Sequence, residues 1–118
     1  RKAEVIKPWR KARTALSKCP HAYAKLGGLN MHDIGFGWHE RPKPPTSDEL
    51  VKAYGKYFAH TIDKFGPERC MFESNFPVDM ISCSYNVLWN AHKKMVKGAS
   101  ATEKAALFHD TATGFYRL

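Results

Sequence analysis

Apolar residues recur at intervals of three and four from Leu50 through Val51, Tyr54, Phe58 and Ile62 to Phe65, the period of one face of an α-helix. Thr46 and Glu49 stand at capping-box spacing directly after Pro44-Pro45, and Gly66-Pro67 closes the run, so the pattern predicts a helix from about Ser47 to Phe65. Upstream, His21 to Leu26 alternates and meets Gly27-Gly28, which reads as a short strand ended by a turn. Downstream, Arg69 to Ser74 reads as a second strand ending in Asn75-Phe76-Pro77. Strand, helix, strand is a parallel crossover unit.

Three more helices frame that unit. Val5, Trp9, Ala12 and Leu16 recur at helical spacing in the first eighteen residues, with Pro8 in the first turn or at a kink. Their stripe is expected to dock on the rest of the fold. Residues 84–97 place Tyr85, Leu88, Trp89, His92 and Val96 on one side, and Gly98 follows. Ser100 and Glu103 form a second capping box before a helix carrying Ala105, Ala106, Phe108 and Ala112. Residues 28–45 sustain neither period. They make a long loop, and with Met31, Phe36 and Trp38 in it the loop is expected to be packed and functional.

Composition narrows the class. The chain has 118 residues, 43% of them apolar and 13% aromatic, which fits one globular core and excludes a disordered or low-complexity chain. No run approaches the roughly 18–20 apolar residues of a membrane span, and none follows the basic N-terminus as a signal peptide requires. Cys19, Cys70 and Cys83 are odd in number and lack a C-x-x-C, against a disulfide framework or zinc ribbon, so a reducing, cytoplasmic compartment is expected. The net charge of +8 is concentrated: residues 1–18 hold seven basic side chains against Glu4 alone. A solvated basic helix face is expected there. A nucleic-acid patch is the weaker reading, because no helix-turn-helix, zinc-finger or RNA-recognition pattern accompanies it.

The stretch from Phe65-Gly66-Pro67-Glu68-Arg69 through Cys70-Met71-Phe72-Glu73-Ser74-Asn75-Phe76-Pro77 resembles the last strand of the amidohydrolase-related family, metal-dependent hydrolases and lactonases with a TIM-barrel fold. Tyr23-Ala24-Lys25-Leu26-Gly27-Gly28-Leu29 is similar to that family's preceding strand, and Lys104 to Leu118 to its C-terminal helix and tail. The resemblance implies an α/β chain that is the C-terminal fragment of a (β/α)8 barrel, with two parallel strands and flanking helices, as a single partial domain. A whole barrel needs about 250 residues and eight strands. The absence of an initiator methionine at Arg1 agrees with a processed chain or a piece of a longer one. Self-association, or completion by a missing N-terminal barrel half, is therefore expected.

Reacting groups of such barrels gather at the C-terminal strand ends, which selects Lys25, Glu73, Asn75, the long loop and Asp79. The resemblance implies an aspartate at position 75 that binds metal or accepts a proton. Asn75 stands there instead, and a carboxamide does neither well at neutral pH, though it can orient water or a carbonyl. Glu73 replaces the family's usual glycine and points the same way as Asn75, since side chains alternate along a strand. A buried carboxylate there needs a partner, and Lys25 is expected to provide it, either as a substitute proton-handling site or as a structural ion pair. Trp38, His39 and Arg41 are the candidate substrate contacts, with Arg41 facing a substrate carboxylate. His32 and His39 fall short of a metal-ligand pattern, so no metal site is expected in this chain, while a divalent metal is possible in the full-length parent.

The expected function is hydrolysis of a C–O or C–N bond of a small, carboxylated substrate such as a lactone by the parent protein, this chain alone being inactive. The alternative is a non-catalytic binding or assembly domain whose site has degenerated at Asn75.

Overall fold

A computed structural model describes residues 2–118; Arg1 and the side chain of Lys2, two of the basic groups counted above, lie outside the described residues. The elements follow the expected order. They are α1 (Lys2–Ser17), β1 (Ala24–Leu26), α2 (Ser47–Phe65), β2 (Cys70–Phe72), α3 (Tyr85–Met95) and a final helical stretch of α4 (Ala101–Ala105), a π-helical turn over Ala106–Asp110, and α5 (Thr111–Tyr116). Both capping boxes close: Thr46 and Ser100 accept from the backbone N–H of Glu49 and Glu103, whose carboxylates accept in return from the cap N–H groups. The π turn was not expected, because a capping box marks where a helix starts and carries nothing about its later pitch.

β1 and β2 lie side by side and parallel, with Ala24 opposite Cys70, Lys25 opposite Met71 and Leu26 opposite Phe72. Each strand is three residues, shorter than the His21–Leu26 and Arg69–Ser74 runs suggested, since the residues beyond them turn away into 3-10 and loop geometry. Ala24, Leu26, Cys70 and Phe72 point to one side and are buried with Leu50, Tyr54 and Phe58 of α2 and Leu88 and Ala91 of α3. That aliphatic and aromatic layer is the core. Lys25 faces the other side. His92 of α3 is wholly buried, stacked on Phe72 at 4.5 Å between ring centroids, and neither ring nitrogen has a hydrogen-bond partner among the described residues; desolvation lowers its pKa to about 4, so the ring is neutral.

One expected surface is corrected. The α1 stripe Val5, Ala12 and Leu16 stays largely exposed, and the helix docks through Trp9, whose ring meets Tyr57 edge-on at 5.5 Å and lies 5.8 Å from His60. Arg69 fixes the end of that helix: its guanidinium donates to the carbonyls of Ser17, Cys19 and Ala22 and, through Nε, to that of Phe65. One side chain thus ties the exit of α1, the approach to β1 and the end of α2 to the start of β2. Gly66, at φ 82°, makes the turn between α2 and β2 that a side chain would strain. No helix among the described residues is long and apolar enough to cross a membrane.

Candidate active site

The parallel register decides which groups meet. With Lys25 opposite Met71, the next residue of β2's same face is Glu73, and Lys25 Nζ sits 2.8 Å from Glu73 Oε2. The pair expected from strand alternation is therefore formed, but it is not buried: the two side chains are 52% and 27% exposed. The hydrogen bond to Glu73 and then its charge raise the lysine's pKa, with Tyr116 adding to the same effect, so Lys25 is a cation at any physiological pH. Gly27 makes room for this arrangement. A Cβ there would overlap the Glu73 side chain and lie 2.9 Å from its carbonyl oxygen. The glycine that sequence reading assigned only to a turn is thus required by the carboxylate crossing over it.

Asn75 follows β2 in the left-handed region, φ 53°, a conformation that asparagine tolerates better than most side chains. The Phe76-Pro77 peptide after it is cis. Its amide Nδ2 donates to Asp79 Oδ1 at 2.6 Å. Asp79 is 1% exposed, in a 3-10 turn over Val78–Ile81, and its Oδ2 is buried with no partner among the described residues. Burial pushes the Asp79 carboxyl up, the Asn75 bond and the nearby Asn30 pull it back down, and the charge of Glu73 raises it. Asn30 lies in the long loop and is itself 1% exposed; its side chain donates to Tyr54 Oη and its carbonyl accepts from Ser82. Asn30 was missed by the sequence reading. Its one signal was a polar residue just after the strand-ending glycines.

The long loop does not deliver its candidates to this cluster. Arg41 donates to Glu49 Oε1 at 3.0 Å and lies 5.4 Å from the Trp38 ring centroid, while Trp38 stacks on Phe36 with its Nε1 buried. His39 approaches Glu40 at 3.8 Å and its ring lies 6.0 Å from that of His32. The loop residues that share a groove with Lys25 are Leu29, Asp33, Ile34 and Phe36, which with residues of α1, β1 and α2 line a space of about 460 Å³. Among the described residues no three His, Cys, Asp or Glu side chains converge as a metal cage. Glu73 is engaged by Lys25, Asp79 is enclosed and Asn75 is neutral, so the residues present do not by themselves fit a zinc ion.

The amidohydrolase family profile matches residues 2–118. The uncharacterized protein y4mH of Sinorhizobium fredii is 40% identical over 110 residues, which are 93% of this chain and 33% of that protein. The L-fucono-1,5-lactonase of Burkholderia multivorans is 31% identical over 111 residues, 93% of this chain and 35% of that one. A crystal structure of an amidohydrolase from Burkholderia multivorans with bound zinc superposes with a TM-score of 0.79 at 29% identity, covering 93% of this chain and 37% of the other. A second, with bound HEPES, gives 0.79 at 30% identity, 93% and 36%. The chain thus spans about a third of the length of the relatives it matches.

Proposed function

This chain belongs to the amidohydrolase family, its two parallel strands and flanking helices matching part of an amidohydrolase barrel, and on that premise we propose that it supplies the last two strands and part of the pocket of a hydrolase. The proposed substrate is a small carboxylated molecule with a C–O or C–N bond to break, a lactone foremost. The observation that carries this reading is the Lys25–Glu73 pair, with Asn75 two residues further along the chain, at the C-terminal ends of parallel strands, where barrels of this architecture do their chemistry. Glu73 is the proton acceptor: as water adds to the substrate carbonyl its carboxylate takes the water's proton, and it returns that proton to the leaving oxygen or nitrogen. Lys25 stands beside the oxygen on which negative charge develops, and Asn75 orients the water. The likeness to a lactonase supports the substrate class, and the three free thiols fit a cytoplasmic setting. The open edge of β1, with the groove beside it, takes a further strand from the N-terminal barrel half.

The test is turnover of a panel of sugar lactones and small acylated amino acids by the protein completed with its barrel half. Glu73→Gln is expected to lower kcat at least about 100-fold, within the range of a lost general base. Hydrolysis of no member of the panel by the completed protein would reject the reading, and full activity in Glu73→Gln would remove Glu73 from the role assigned to it. Light scattering on the chain alone checks the edge: the alternative to a missing half is a self-associated form.

A further inference from the structure

We propose that Asp79 is the positioning residue for Asn75: its buried carboxylate captures the amide NH2, so that the amide oxygen is the atom presented at the C-terminal end of β2. An ionised carboxylate has no hydrogen to give, so it is Nδ2 that faces it, 2.6 Å from Asp79 Oδ1. Asn75 Oδ1 is bonded to no described residue and is not among the buried unpartnered atoms, which leaves it open to water. The oriented oxygen is a pure acceptor. In the hydrolase reading, on which this use of it rests, it accepts from the attacking water while Glu73 takes the other proton.

Closing the turn does not require the Asp79 carboxylate. The turn from 75 to 79 is already closed by the Asp79 backbone N–H donating to the Asn75 carbonyl at 3.0 Å, and a carboxylate buried to 1% exposure with one oxygen unpartnered burdens the fold. Its neighbours run the other way: Val78, Met80 and Ile81 are 50%, 64% and 52% exposed. Asn30, from the long loop, lies against the same carboxyl by its backbone and side chain, so loop and turn are both set by it.

The experiment is nitrogen-15 NMR of the Asn75 side-chain amide in the wild type, in Asp79→Leu, which fills the site with an apolar side chain and cannot accept a hydrogen bond, and in Asp79→Asn, which keeps the shape. The wild type is expected to show an Asn75 NH2 pair shifted downfield and exchanging slowly with water. In Asp79→Leu the pair moves to the position and exchange rate of an exposed amide, with the protein still folded; Asp79→Asn gives an intermediate shift and covers the case of a leucine variant that does not fold. In the completed protein, kcat falls about tenfold in Asp79→Leu with KM changed by less than twofold, a split that a loss of folded protein does not produce. An exposed-amide signature in the wild type, or one unchanged in both variants, overturns the proposal. If the NMR shifts occur as stated and no substrate is turned over, the positioning stands and the hydrolase reading is what falls.

Discussion

Asn75→Asp restores the residue type that the family resemblance implies, and the structure predicts that by itself it does harm. Asn75 Nδ2 lies 2.6 Å from Asp79 Oδ1, so the substitution sets two carboxylates against each other with one of them enclosed. At an effective dielectric constant of about 20, two full charges that close repel by about 6 kcal/mol. Holding one carboxyl protonated at pH 7 costs less, about 4 kcal/mol from an ordinary pKa near 4, so the pair keeps one proton between them. The short O–H···O⁻ bond that results returns about 1.5–3 kcal/mol, which leaves a net loss on the order of 1–3 kcal/mol at pH 7. The native variant then holds a proton that its unfolded chain releases above about pH 4, so its stability relative to the wild type falls as pH rises from about 4 to 8 and approaches the wild-type value at the acid end. Urea denaturation of both proteins at each pH measures the difference, and subtraction cancels the titrations they share. Asn75→Asp combined with Asp79→Asn exchanges the two groups and recovers the loss. An offset that stays flat across that pH range, or a double variant no more stable than the single one, refutes the hydrogen bond from which the prediction is built.

Gly27→Ala forces the Glu73 side chain off its path, costs about 1–3 kcal/mol as an overpacked contact, and separates Glu73 from Lys25; a melting temperature equal to that of the wild type would be incompatible with the observed crowding. Glu73→Gln, by contrast, changes stability by less than about 1 kcal/mol in a denaturant titration, because the ion pair it breaks is largely exposed. His92 is neutral in the fold with a pKa lowered to about 4, so its contribution is complete above the unfolded value near 6.5 and is lost as pH falls through the folded one, about 2 kcal/mol of it by pH 5. His92→Phe removes that acid-side loss, and an equal slope in both proteins between pH 7 and 5 would contradict it. Of the three thiols only Cys19 is exposed, while burial raises Cys70 to about 12 and Cys83 to about 11; a chromogenic thiol reagent should therefore label one cysteine quickly in the native protein and all three after denaturation.

What could be read in the sequence is what local chemistry decides. The two capping boxes, the 47–65 helix and the stop at Gly66 each involve residues within a few positions of one another, and each is present in the fold, whereas the helix expected to run to Gly98 ends at Met95 with Val96 as its cap. The Lys25–Glu73 pair needed one tertiary assumption, that the strands lie parallel as neighbours; alternation then put both groups on one face. The docking face of α1 needed more. Its sequence holds two overlapping arcs that share Trp9, one through Val5, Ala12 and Leu16 and one through Ile6, Arg13 and Ser17, and the choice between them is made by Tyr57 and His60 on α2, which periodicity within α1 cannot contain. The arc through Arg13 is the one that docks, with edge-on aromatic packing at Trp9 and the hydroxyl of Thr14 near the His60 ring, while Val5 and Leu16 stay exposed.

The turn after β2 shows why the site itself was the least legible part. Hydropathy assigns Val78, Met80 and Ile81 to the interior and Asp79 and Ser82 to the surface, and the structure has each of the five the other way round. For Asp79 and Ser82 such an inversion cannot arise from burial energetics, which favour leaving both in water. It arises because Asn75 and Asn30 offer the acid and its neighbours specific hydrogen-bonding groups, and because Ser82 finds the Asn30 carbonyl. Polar satisfaction between two loops far apart in sequence has no period to betray it. The same reasoning turns the failure into a guide: polar groups that a short segment encloses are held for what they position, and in this chain they converge on Asn75, which stands where the family resemblance implies an aspartate.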